Sequence, residues 1–161
     1  MACLNSPYNT TVSGHEAAIS HLQRILNNDN IFNKWLKVNV AYYSPHMQVA
    51  ASDYRRLLKG IESGLPSPAV RFVSSITAIE KSSEFSPLYW VQNLVSKVNF
   101  CEALDVLAKA QRAGQGSSAL QSTHTWLEIG PHSALSGSIH QTMGPTNEAS
   151  PIYTYIPSLV R

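Results

Sequence analysis

The sequence predicts a mixed fold of the α+β (α/β) class, built as two lobes. Three observations carry this. Alternating apolar segments hand over abruptly to helix starts at 41–47 and again at 128–133, the punctuation of a chain that alternates strand and helix. Gly64 to Pro68, "GLPSP", interrupts the pattern and is the best boundary between lobes. The chain has 161 residues of which 43% are hydrophobic, enough for one domain or two small lobes sharing a core.

Taken in order, Ala2–Ser6 and Asn9–Ser13 read as short strands around the turn signal Ser6-Pro7. Ser13-Gly14-His15-Glu16 spells a capping box, with Ala18, Leu22, Ile25 and Leu26 following at helical spacing until Asn27-Asn28-Asp29-Asn30 ends the helix. His15 and His21 fall on or beside this helix as solvated residues. From Trp35 to Tyr42 the sequence alternates with the period of a half-buried strand. Ser44 is then a good N-cap, Pro45 suits the first helical turn, and Met47, Ala50, Tyr54, Leu57, Leu58 and Ile61 line one helical face. Beyond the break, Val70–Thr77 reads as a strand, and Leu88–Leu94 and Phe100–Ala113 as helices, the second capped by Asn99 with Glu102 at the capping-box position. Gly114–Thr123 is a loop, Thr125–Ile129 a strand, Ser133–Met143 a helix stopped by Gly144-Pro145, and Ile152–Ile156 a last strand.

Composition excludes several classes. A formal charge of +2 with 14% charged residues gives no basic field for nucleic acid and no polybasic membrane anchor. No apolar run approaches the ~20 residues of a membrane span. The first residues lack the charged and apolar regions of a signal peptide, which places the protein in the cytoplasm. Cys3 and Cys101 match neither a CxxC nor a metal spacing and read as buried free thiols. The six histidines form no HxxxH or HExxH pair, so neither a zinc site nor any other cofactor is expected.

Two polar clusters remain. "AYYSPHM", Ala41 to Met47, gathers Tyr42, Tyr43, Ser44 and His46 at a helix start. There the helix dipole disfavours imidazolium, leaving His46 neutral and able to act as base or donor. "EIGPHS", Glu128 to Ser133, places Glu128, His132 and Ser133 at the end of a strand, where α/β folds build sites. Each cluster has a plainer reading that local sequence favours: a capped helix with an exposed histidine in the first, Ser133 as an ordinary N-cap in the second. There is no GxSxG elbow, no phosphate loop and no paired carboxylates at useful spacing.

Four segments in this order, "ACLNSPYNTTVSGHEAAI", "LKVNVAYYSPHM", "YWVQNLVSKVNFCEAL" and "WLEIGPHSALSGSI", with the ending "YIPSLVR", resemble the C-terminal half of an acyltransferase domain. The family is the malonyl-CoA:acyl-carrier-protein acyltransferases of type I polyketide synthases, in their fungal, iterative, highly reducing form. The resemblance implies a ferredoxin-like small lobe over residues 1–62 and part of an α/β-hydrolase-like large lobe over 63–161. That partial lobe is expected to expose apolar faces until dimerisation or rearrangement completes it, so a homo-oligomer is expected. The family transfers malonyl groups through a GHSxG serine and a small-lobe histidine to carrier-protein phosphopantetheine. The serine belongs to the part of the family pattern that precedes Ala2. The histidine belongs to a pattern like "AYHSHHM", so its place is held by Tyr43; Pro45 replaces a further histidine, while His46 and Met47 match. A phenol with a pKa of about 10 is a poor general base at neutral pH. Malonyl transfer by this chain alone is therefore not expected. Two roles stay open. One is a repurposed catalyst of a cyclisation, isomerisation or pericyclic step on a polyketide-derived molecule, with Tyr43 and His46 catalytic and Tyr42, Ser44, Met47 and His132 binding. The other is a non-catalytic module that docks on, or completes, a synthase or carrier protein, or is an excised piece of one.

Overall fold

A computed structural model describes residues 1–65, 67–113, 124–144 and 153–159. The first element is a hairpin, β1 (Cys3–Ser6) antiparallel to β2 (Asn9–Thr11), with Cys3 opposite Thr11 and Leu4 opposite Thr10. The free edge of β1 bonds to a single residue far along the chain: Leu4 N–H donates to the Val98 carbonyl, and Val98 N–H to that of Ala2, both at 2.8 Å. Helix α1 (Glu16–Asn28) follows, and Asn30, at φ 56°, turns the chain away from it.

A 3₁₀ turn, Pro45–Met47, leads into α2 (Gln48–Leu57). Helices α3 (Pro87–Val95) and α4 (Phe100–Ala113) come next, then β3 (His124–Glu128), α5 (Ser136–Met143) and β4 (Tyr153–Pro157). β3 and β4 are parallel, pairing Trp126 with Tyr155 and Leu127 with Ile156. The mixed class expected from the sequence is the one observed. The Gly114–Thr123 loop and Ile152 lie outside the described residues.

Alternation along β3 and β4 sorts the side chains. Trp126, Tyr153 and Tyr155 face inward onto a cluster with Leu104 of α4 and Ile139 of α5, ringed by Phe100, Leu135 and Met143. Leu127 and Ile156 face outward, with Leu127 60% exposed, and beyond the strand Ile129 is 86% exposed. Parallel sheets are ordinarily covered on both faces, so this pair is half covered. A second centre surrounds Tyr89. Its ring meets Phe85 and Trp90 edge-on at 5.3 and 5.1 Å, and its hydroxyl pairs with the buried Ser74 at 3.1 Å.

Six local expectations are corrected. Residues 35–42 form no strand. No described strand lies beside them, and a strand without a neighbour has no ladder to hold it extended. Residues 70–77 are not a strand either, but one arm of a tight reversal. Ser74 Oγ accepts from Ile76 N–H, Ala78 N–H returns to the Ser74 carbonyl at 2.7 Å, and Arg71 pairs with Glu80 across the turn. The capping box at 13–16 is not made: His15 is the N-cap residue, no side chain caps α1, and Ser13 Oγ is buried without a partner. Helix α2 stops at Leu57, whose side chain is 76% exposed, so the expected face ends at Tyr54 and Leu58 rather than reaching Ile61. Ser133 does not cap α5, which begins only at Ser136. Cys3 and Cys101 are free, as expected, but half-buried rather than buried; burial still pushes the Cys3 thiol up from its ordinary value.

Candidate substrate-facing corner and its family

The corner at 42–47 is fixed by one serine. Ser44 is buried, extended at φ −144°, and its Oγ accepts from His46 N–H at 3.2 Å, which satisfies a donor at the start of the 3₁₀ turn. The same hydroxyl donates to the Ala41 carbonyl at 2.6 Å. Its only hydrogen is thus committed. The contact between Ser44 Oγ and His46 Nδ1 at 3.3 Å therefore has the imidazole Nδ1–H as donor. Pro45 follows at the first position, where its missing N–H leaves nothing unpaired.

Tyr43 has φ 54°, the left-handed region that a side chain with a Cβ rarely enters. Strain of this kind persists where the surroundings impose it, and here the Ser44 cap and the packing of the 3₁₀ turn on α3 do so. The twist leaves both neighbouring phenols on the surface, with ring centroids 6.3 Å apart and tilted by 47°. Tyr42 closes one end of a shallow hollow of about 620 Å³, wide open to solvent, which is otherwise lined by Trp35, Leu36, Lys37, Val38 and Asn39. Met47 is half-buried beneath the corner.

The corner also holds a residue that sequence reasoning set aside. The His15 ring stands edge-on to that of His46, with centroids 4.7 Å apart, so the start of α1 forms one wall of the site. Both histidines stand at helix starts, but no spacing rule ties one to the other. His132 is elsewhere, exposed on the bend between β3 and α5. Among the described residues no hydrogen bond or ring contact joins it to Tyr42–Met47.

That bend has its own anchor. The Glu128 carboxylate accepts from Ala134 N–H at 3.0 Å and from Leu135 N–H at 3.1 Å, caps the approach to α5, and takes a short hydrogen bond from the Tyr155 hydroxyl. Burial, then the bond to Glu128 and its charge, push the Tyr155 phenol up to about 12. Glu128 therefore does the work expected of Ser133. It ties β3, β4 and α5 at one point, as a positioning group for the 130–135 bend. Among the described residues no group of three or more metal-ligating side chains occurs, and no helix is long and apolar enough to cross a membrane.

The acyl transferase domain family matches residues 1–161, and the chain belongs to that family. It is 42% identical over its full length to a highly reducing polyketide synthase of Stachybotrys chartarum, and 40% identical to another of Alternaria alternata. It spans only 7% and 5% of those two proteins. Among solved structures it superposes on the acyltransferase domain from module 8 of the salinomycin polyketide synthase with a TM-score of 0.79. That match covers 98% of this chain and 34% of that one at 21% identity. On the malonyl-CoA:acyl carrier protein transacylase of Xanthomonas oryzae the TM-score is 0.72, covering 97% of this chain and 44% of the other, again at 21% identity. These structural likenesses speak for the fold. The chain is thus derived from a polyketide synthase acyltransferase domain of fungal polyketide synthesis.

Proposed function

We propose that the chain is the substrate-facing part of an acyltransferase unit, in which the Tyr42–Met47 corner forms one wall of a cleft for a pantetheine-linked or polyketide-derived acyl group. The observation that supports this is the backbone of Tyr43, held left-handed between an open hollow and a committed serine cap, where the family pattern has its histidine. On this reading residues 1–62 make the small lobe and 63–161 part of the large one. Carrier protein or synthase is the partner, a homo-oligomer is its solution form, and the free thiols suit the reducing cytoplasm. The 161 residues hold no GHSxG motif, so the chain by itself does not transfer malonyl. Intact-mass measurement after incubation with malonyl-CoA and holo-carrier protein tests this directly: neither protein gains a malonyl group. Malonyl-pantetheine binding should weaken by about tenfold when Tyr43→Ala and His46→Ala are combined. Acylation of the chain, or binding unchanged in the double variant, overturns the proposal.

A second reading has one specific support, an imidazole and a phenol, those of His46 and Tyr43, both exposed on the same corner. An imidazole and a phenol on one corner suit proton movement or carbonyl activation in a cyclisation or isomerisation. If this holds, a polyketide substrate incubated with the chain gives a rearranged product by mass spectrometry. Tyr43→Phe and His46→Ala each abolish that product.

A further inference from the structure

We infer that His15 and His46 form a two-imidazole clamp for a divalent transition-metal ion, Ni²⁺, Zn²⁺ or Cu²⁺, which ties the start of α1 to the Tyr43 corner. The inference goes beyond the acyl-group reading and does not rest on it.

The two rings come from different elements, one from the N-cap of α1 and one from the 3₁₀ turn, and both residues are exposed. Their centroids are 4.7 Å apart, with the ring planes at 84°. Metal–nitrogen bonds of about 2.0–2.1 Å, meeting at about 90–109°, set two imidazole centroids about 4.5–5.2 Å apart. The observed separation lies inside that range. The rings are also held as a clamp requires, one aimed and one adjustable. His46 is aimed: its Nδ1–H donates to Ser44 Oγ at 3.3 Å, and the Ser44 hydroxyl is itself fixed on the Ala41 carbonyl at 2.6 Å. A ligating histidine ordinarily gives one ring N–H to a protein oxygen in this way and holds the metal through its other nitrogen, here Nε2. His15 is adjustable. Among the described residues its ring makes no hydrogen bond and no ion pair, so it can turn either nitrogen to the ion.

The ligand set selects the ion. Two imidazoles without a carboxylate suit Ni²⁺, Zn²⁺ and Cu²⁺, whereas Mg²⁺ and Ca²⁺ take oxygen ligands. Two protein ligands are fewer than the three or four of resident zinc sites. The ion is therefore exchangeable, and it keeps positions open for water or for the oxygens of a bound ligand. One effect opposes it, the positive end of α1 beside His15. That field fades within the first turn and is screened by salt, whereas coordinate bonds act at contact distance. The pair is tertiary, so no HxxxH spacing announces it.

The test titrates the full chain, first stripped with a chelator, with Ni²⁺ alone. Binding is followed by calorimetry, and the imidazole Hε1 signals by NMR. The expected result is one ion per chain, with the signals of His15 and His46 broadened together and ahead of the other histidines. His15→Ala and His46→Ala should each weaken binding at least about tenfold, the least that disturbing a metal site's ligands costs. His15→Phe keeps an aromatic ring against His46 and removes the nitrogen, so it should weaken binding as much as His15→Ala. His21→Ala, on the same helix, should leave binding unchanged. His15 is exposed, and unaltered helix content by circular dichroism shows that its variants fold. No saturable binding, broadening of one ring without the other, or full affinity in His15→Ala or His15→Phe each overturns the inference. Loss of malonyl-pantetheine binding with the Ni²⁺ clamp intact would sink the functional reading and leave this one standing.

Discussion

The region around β3, β4, α4 and α5 and the region from α1 to Tyr43 have similarly clear sequence patterns, yet they fold to different degrees. In the first, every inward side chain meets another element: Leu104, Ile139 and Tyr153 are buried together, and Glu128 ties two strands to a helix. In the second, α1 buries nothing and a well-alternated segment makes no ladder. The difference teaches that an amphipathic pattern states a demand for a partner surface, and structure appears where this chain also supplies that surface. The sharpest way to break the comparison is to truncate one apolar side chain in each region. Leu104→Ala should cost about 2–5 kcal/mol in urea denaturation, as large-to-small changes in packed cores do. Val38→Ala in the same chain should stay within about 0.5 kcal/mol. Equal losses at the two sites would mean that 35–41 is packed in solution.

The same contrast explains what was legible in the sequence. Helix α4 runs over Phe100–Ala113 as its spacing predicts, because helix bonds close within four residues and the apolar stripe needs only one neighbour. The strand at 35–42 was not legible as a failure, since its pairing partner is non-local. Val70–Thr77 failed for another reason: Ser74 offers its hydroxyl to the backbone two residues on, and a local turn outcompetes a strand. At the corner, Ser44, Pro45 and the helix start were readable from residue types alone. That Tyr43 stands at the place of the family histidine was suggested only by the family pattern, and its left-handed backbone was not legible at all, because tyrosine carries no preference for it. The contact of His15 with His46 is tertiary and left no trace in spacing.

A second, smaller effect tests how the ordered region is tied. Ser133 has the right chemistry for a cap and the wrong position, whereas Glu128 is anchored on β3 and reaches the N–H groups of Ala134 and Leu135. Glu128→Ala should therefore cost about 1–2 kcal/mol, the range for losing a helix cap and stranding its donors. Ser133→Ala should be near neutral. A reversal of that order in chemical denaturation would return the cap to Ser133.

The smallest effect is confined to alkaline solution. Tyr155 titrates at about 12 in the folded chain, raised by burial and by its bond to Glu128, against about 10 for an unperturbed phenol. The phenol contributes its full share of stability below pH about 10, where both states hold the proton. Between about 10 and 12 the unfolded state loses its proton first, so the folded state binds more protons and stability falls as pH rises. Tyr153, also raised by burial, adds a slope of the same sign. Tyr155→Phe should flatten the decline of stability across that window while leaving its shape below pH 9 unchanged, and Glu128→Gln should lower the Tyr155 titration toward its ordinary value. An alkaline slope that survives Tyr155→Phe intact would show that the tie between β3 and β4 does not run through this pair.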